Sequence, residues 1–132
     1  MPRDGNPMRW DCDARGCFNR LKRPKLEMFA GCFDRGINFG DVDMLVEAND
    51  HFLLCEWKPR KGPLQTGQRL LHEAILRLPR FTIIVIHGDA ESMGVTSFEV
   101  RYRTSRETVD GDLDVLRARI RAWFLWAERR AA

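Results

Sequence analysis

At 132 residues the chain has the length of one domain, enough to enclose a single hydrophobic core and too short for two. Its composition is ordinary for a globular protein, its net charge is only +3, and no apolar run approaches the roughly 20 residues of a membrane span. The N-terminal stretch is polar and basic where a secretory signal would be apolar, so the expectation is a soluble, cytoplasmic protein, free of the membrane, whose four cysteines stay reduced.

Residues 1–22 hold Pro, Gly, Asn and scattered charge without a sustained period, and read as a basic arm or loop around Trp10 and Phe18. Pro24 can open a helix, along which Leu26, Phe29, Ala30 and Phe33 recur at helical spacing, and Gly36 suits the position just past its end. A short strand over residues 37–39 is expected next. Strand-like runs over residues 42–47 and 52–57 then flank Ala48-Asn49-Asp50-His51, and a two-residue Asn49-Asp50 turn suits positive φ at both central positions.

After Lys58, a basic linker with Pro59 and Pro63 ends the strand. Leu64, Gln68, Leu71, Ile75 and Leu78 form the stripe of an amphipathic helix, widened by Leu70 and Ala74, with Gln68 its only polar member. Residues 81–86 are a continuous β-branched run, which predicts a strand covered on both faces. Residues 95–103 alternate Phe98, Val100 and Tyr102 with polar positions, as an outer strand would. Residues 111–130 close the chain with a helix whose stripe is Leu113, Leu116, Ile120, Trp123 and Ala127. The order predicts an α/β sandwich around a mixed sheet flanked by helices. It is read as one domain over residues 1–132, with an arm (1–22), a core (23–87) and an outer strand with a C-terminal helix (88–132).

The central hairpin concentrates acidic groups and a lysine at one end. Its turn pairs Ala48 with His51, Glu47 with Phe52 and Leu45 with Leu54, and by continuation Asp43 with Glu56 and Asp41 with Lys58. Side chains alternate faces along a strand, so these four polar groups converge on one face. Basic residues flank them: residues 1–25 carry seven Arg or Lys against three Asp, and residues 58–80 carry six against Glu73 alone. A carboxylate centre between basic surfaces suits a site that holds a divalent cation and a polyanion together.

Asp43 followed by Glu56-Trp57-Lys58 resembles the metal-binding aspartate and the (D/E)-X-K tripeptide of the PD-(D/E)XK nuclease superfamily, in its small stand-alone phage and bacterial form. The residue before the aspartate is Val42, where the name of the motif has proline. The resemblance runs from Pro24 to about Ile86. It implies a restriction-endonuclease-like αβββαβ core, here with an extra outer strand and C-terminal helix, and a Mg²⁺-dependent endonuclease acting on DNA; the small size of the chain adds the expectation of branched or structured DNA, read through shape and phosphate contacts. It also implies a metal-binding role for Glu27 in the first helix and for the backbone carbonyl of Trp57. Gln68 with His72 stands where some members carry Gln-X-X-X-Tyr, though His72 departs from the tyrosine.

Mg²⁺ is hard, takes oxygen ligands and keeps several waters, so one or two carboxylates plus substrate phosphate usually hold it. Asp43 and Glu56 supply these, and Mn²⁺ is expected to substitute. Asp41 either joins them or pairs with Lys58. The expected catalytic set is Asp43, Glu56, Lys58 and Gln68. Lys58 either orients and helps deprotonate the attacking water or stabilises the transition state as a cation. Gln68 either orients the site or bonds to backbone. The nucleic-acid surface is expected at Arg23, Lys25, Arg60, Lys61, Arg69 and His72, and cutting both strands of a duplex requires a homodimer with paired sites. Cys12, Cys17 and Cys32 invite a structural Zn²⁺, but three thiols without Cys-X₂-Cys spacing leave the tetrahedron incomplete, and reduced, packed cysteines are the expectation. The alternative function is a non-catalytic nucleic-acid-binding or assembly protein that keeps a nuclease fold.

Overall fold

The computed structural model describes residues 25–29, 31–40, 42–59 and 64–130, and only the backbone of Leu26 and Glu27. The chain falls into two compact units, Met1–Phe39 and Gly40–Ala132. In the first, the expected helix is reduced to a single 3-10 turn, Leu26–Phe29. Gly31 at φ 89°, Arg35 at φ 60° and Gly36 at φ 72° turn the backbone into the left-handed region, which no right-handed helix can pass through. The aromatic residues spaced for a helix instead meet edge-on, with Phe29 and Phe33 at 5.6 and 5.2 Å from Phe39. Residues 37–39 form no strand.

The second unit is an α/β arrangement of one five-stranded mixed sheet and two helices. Its strands are β1 (Met44–Ala48), β2 (His51–Lys58), β3 (Phe81–Asp89), β4 (Gly94–Arg101) and β5 (Arg106–Asp110), in that spatial order. Helix α1 (Thr66–Leu76) links β2 to β3, and α2 (Leu113–Glu128) closes the chain. The β1-β2 turn has Asn49 at φ 51° and Asp50 at φ 61°, the double positive φ that a two-residue hairpin demands. It fixes the ladder Ala48↔His51, Glu47↔Phe52 and Leu45↔Leu54, as the sequence predicts. Parallel strands need a crossover, which α1 provides between β2 and β3; the other neighbours are antiparallel.

The two faces of the sheet differ. Leu53, Cys55, Ile84, Ile86, Phe98 and Val100 point to the α2 side, where Leu116, Trp123 and Ala127 join a ten-residue buried cluster. Leu54, Ile83 and Val85 point to the α1 side and form, with Leu64 and Leu76, a cluster of five. Each fully buried large apolar side chain contributes about 1.5–3 kcal/mol, so the α2 side carries most of the hydrophobic stabilisation. The α1 side therefore has room for polar groups at its end, and there the carboxylates lie.

Two further expectations are corrected. Helix α1 is rotated relative to its predicted stripe: Leu70, Leu71 and Leu78 are exposed, while His72 and Leu76 are buried. The predicted outer strand, β4, is covered by β5, which has Val109 as its one large apolar residue and so lacks the alternation that marks a strand. Among the described residues no helix is long and apolar enough to cross a membrane.

Candidate active site at the mouth of the hairpin

The β1-β2 ladder ends at Met44↔Cys55, so the next opposed pair is Asp43 and Glu56. Opposed residues of an antiparallel pair lie on the same face with Cβ atoms about 5 Å apart. Asp43 stands just outside β1, and its Oδ2 accepts the backbone N–H of Trp57 at 2.7 Å. The side chain thus satisfies a β2 donor past the end of β1. In an antiparallel hydrogen-bonded pair the N–H and C=O of one residue leave by the same strand edge, so the Trp57 carbonyl opens on the side that Asp43 occupies.

Glu56 is 7% exposed, and a buried carboxylate needs donors. Gln68, in the first turn of α1, gives one: its Nε2 donates to Glu56 Oε1 at 2.6 Å. The N-terminal end of α1 adds the favourable pole of the helix dipole, worth about 0.3–1 kcal/mol to a nearby anion. Asp43 also makes itself felt behind the sheet: burial first, and the Asp43 charge second, push the Cys55 thiol up to about 12, which makes it inert.

Lys58, the last residue of β2, shares the face of Glu56 and Asp43. In the parallel ladder its partner is His87, and in the next ladder His87 faces Ser97. Both are more than nine-tenths buried, and Ser97 Oγ has no hydrogen-bond partner. Lys58, His87 and Ser97 therefore form a polar row beside the row of Asp43 and Glu56. The signal that finds His87 is the parallel alignment of the two strands, Phe52↔Phe81, which carries Lys58 onto it. Gly88 permits the tight bulge beyond His87, since a Cβ there would meet the Gly94 carbonyl oxygen at 2.4 Å.

The other expected residues are placed as follows. His72, expected on the nucleic-acid surface, is 2% exposed, its Nδ1 lacks a partner, and burial, then the charge of Arg101, holds its imidazole below the ordinary range. Arg69 is exposed and pairs with Glu73 one helical turn on at 3.0 Å. Lys25 belongs to the first unit. Arg23, Arg60, Lys61, Asp41, Cys12 and Cys17, and the side chain of Glu27, lie outside the described residues. Cys32 is an exposed free thiol.

As a cation site the mouth of the hairpin offers hard oxygen donors: two carboxylates on one face with a backbone carbonyl opening beside them. Among the described residues no three His, Cys, Asp or Glu converge as a metal-binding group. A pair suits Mg²⁺, which keeps much of its water, better than it suits an ion held by an all-protein cage. No protein-family model matches the chain, and no curated protein or solved structure matches it significantly.

Proposed function

We propose that the protein is a Mg²⁺-dependent deoxyribonuclease of the PD-(D/E)XK type, with Asp43, Glu56 and Lys58 as its working residues and a restriction-endonuclease-like arrangement of the sheet. The observation that carries the reading is the register of the hairpin, which opposes Asp43 to Glu56 and sets Lys58 two residues further along the same face. Asp43, Glu56 and the Trp57 carbonyl would hold the ion. When bound, it would lower the pKa of a coordinated water and neutralise charge on the scissile phosphate.

The remaining work falls to the chain itself. Gln68 fixes one oxygen of Glu56 and so orients the other. The Trp57 N–H does the same for Asp43. Lys58 reaches the phosphate from the end of β2, either taking part in activating water or balancing the negative charge of the pentavalent transition state. His87, paired with Lys58 in the β2-β3 ladder, would steady the lysine from beside it. Water adds to phosphorus as the P–O bond to one sugar breaks, and the departing oxygen takes up a proton. So small a domain leaves little surface for reading bases, so phosphate contacts and DNA shape would set its preference. Cutting a duplex fully would need a second copy.

The test is to incubate the protein with branched, duplex and single-stranded DNA in Mg²⁺ or EDTA, alongside Glu56→Ala and Lys58→Ala. Cleavage should require the metal and fall by roughly 100-fold or more in each variant. Variants that cut as well as wild type sink the assignment. Metal-independent DNA binding without cleavage would point to a binding module instead.

A further inference from the structure

At the other end of the sheet, on its α2 side, lies a cavity of about 400 Å³. Alternation along β3 and β4 brings Thr82, Ile84, Val100 and Tyr102 to its floor, and Trp123 and Trp126 of α2 wall it. Its size falls in the range of small-ligand pockets, which typically pair an apolar lining with a few placed polar groups.

The polar groups here have one sign. Arg80, Arg103 and Arg119 line the cavity. Arg119 is committed: it donates to Glu107 and to the Tyr102 hydroxyl, both at 2.7 Å. Arg80 makes only a long 3.7 Å pair with Asp50, and Arg103 makes no ion pair with a described residue. Trp123 and Trp126 supply a flat apolar wall, and Arg130 lies over the Trp126 ring 4.9 Å from its centroid.

We infer that this cavity is a nucleotide-binding site, separate from the carboxylate site and independent of the nuclease reading. A flat base would lie against the aromatic wall of Tyr102, Trp123 and Trp126, and the phosphate would meet Arg103 and Arg80 at the rim. Apolar walls alone would suit any hydrophobic side chain. The unspent arginines call for an anion, and the aromatic walls call for a flat partner. A nucleotide combines both. It can come free or as the end of a single strand, and the two sources share this chemistry.

The test is calorimetric titration of the protein, in EDTA so that no divalent cation occupies the carboxylate site, with each of the four nucleoside monophosphates and with a short 5′-phosphorylated oligonucleotide. Saturable binding is expected with Kd between about 1 µM and 1 mM. Arg103→Ala should weaken it roughly tenfold, the equivalent of one charge-assisted contact to phosphate. Ala122→Trp, filling the cavity, should abolish it, and Asp43→Asn should leave it unchanged. Tighter binding of the oligonucleotide than of every monophosphate assigns the site to a strand end, and the reverse assigns it to the free nucleotide. Amide shift changes in the wild type, centred on Thr82, Tyr102 and Trp123, decide the location should Ala122→Trp fail to fold. Absence of saturable binding for all five ligands, or shifts centred elsewhere, overturns the inference.

Discussion

Replacing Gln68 by Ala removes one donor from Glu56 and nothing else at the site. The bond is short, 2.6 Å, and its acceptor is 7% exposed, so it joins a neutral donor to a charged group largely out of water. Bonds of that kind contribute about 1.5–3 kcal/mol. Taking about 2 kcal/mol, Tm should fall by roughly 10 °C for a domain of this size. In a Glu56→Gln background the acceptor is neutral, the same bond is worth only about 1 kcal/mol, and the double-mutant cycle should leave a coupling of about 1 kcal/mol. Urea denaturation followed by circular dichroism in EDTA measures all four corners. Repeating it in Mg²⁺ separates support from ligation: Gln68→Ala keeps both carboxylates and should retain the stabilisation that ligand binding confers, whereas Glu56→Gln should lose it. A Gln68→Ala protein within about 0.5 kcal/mol of wild type, or strict additivity with Glu56→Gln, refutes the argument that Gln68 holds the carboxylate.

Other consequences follow from single contacts. Asp43→Asn keeps a side-chain oxygen for the Trp57 N–H, so it should stay within about 1 kcal/mol of wild type in EDTA while losing its response to Mg²⁺; Asp43→Ala should lose both, and equal behaviour of the two variants would contradict this division. The folded state holds His72 below its ordinary 6.5, so the unfolded chain binds that proton more tightly. Its contribution is fully present above pH 6.5 and is lost as pH falls, by at most about 1.4 kcal/mol per pH unit, until the folded imidazole also protonates. His72→Gln should flatten the acid side of the stability profile, and an unchanged slope would show that other groups set it. Asn49 holds φ 51° and donates to the carbonyls of Ala127 and Arg130, tying the hairpin turn to the end of α2. Asn49→Ala, which adds strain to the loss of these bonds, should cost about 2 kcal/mol or more, and Asn49→Gly less, as read from thermal melts.

The hairpin was legible because three signals agreed: alternating strands, a turn dipeptide tolerant of positive φ, and a polar cluster that the resulting register gathers at one end. The buried β3 run and the C-terminal helix were legible for a similar reason, since their apolar periods fit a single structure each. Elsewhere the signals conflicted. Leu26, Phe29 and Phe33 have helical spacing, but Gly31 and Gly36 take positive φ and the rings pack on Phe39 instead. Helix α1 has apolar residues on more than one side, so period alone did not say that His72, with Gln68 half-buried one turn before it, would turn to the sheet and leave Leu71 outside. β5 is hidden by Arg106-Glu107-Thr108, polar residues whose strand character comes from pairing with β4. His87 joined the site only through the pairing of strands separated by a helix, a long-range fact that no local pattern encodes.

The proposed chemistry requires one divalent cation between two carboxylates, and a crystal grown with Mn²⁺ and measured near the manganese absorption edge addresses it directly. The expected result is an anomalous peak within bonding distance of Asp43 and Glu56, absent in Asp43→Asn. Manganese bound elsewhere, or a clean map at the mouth of the hairpin with the ion in excess, would contradict it.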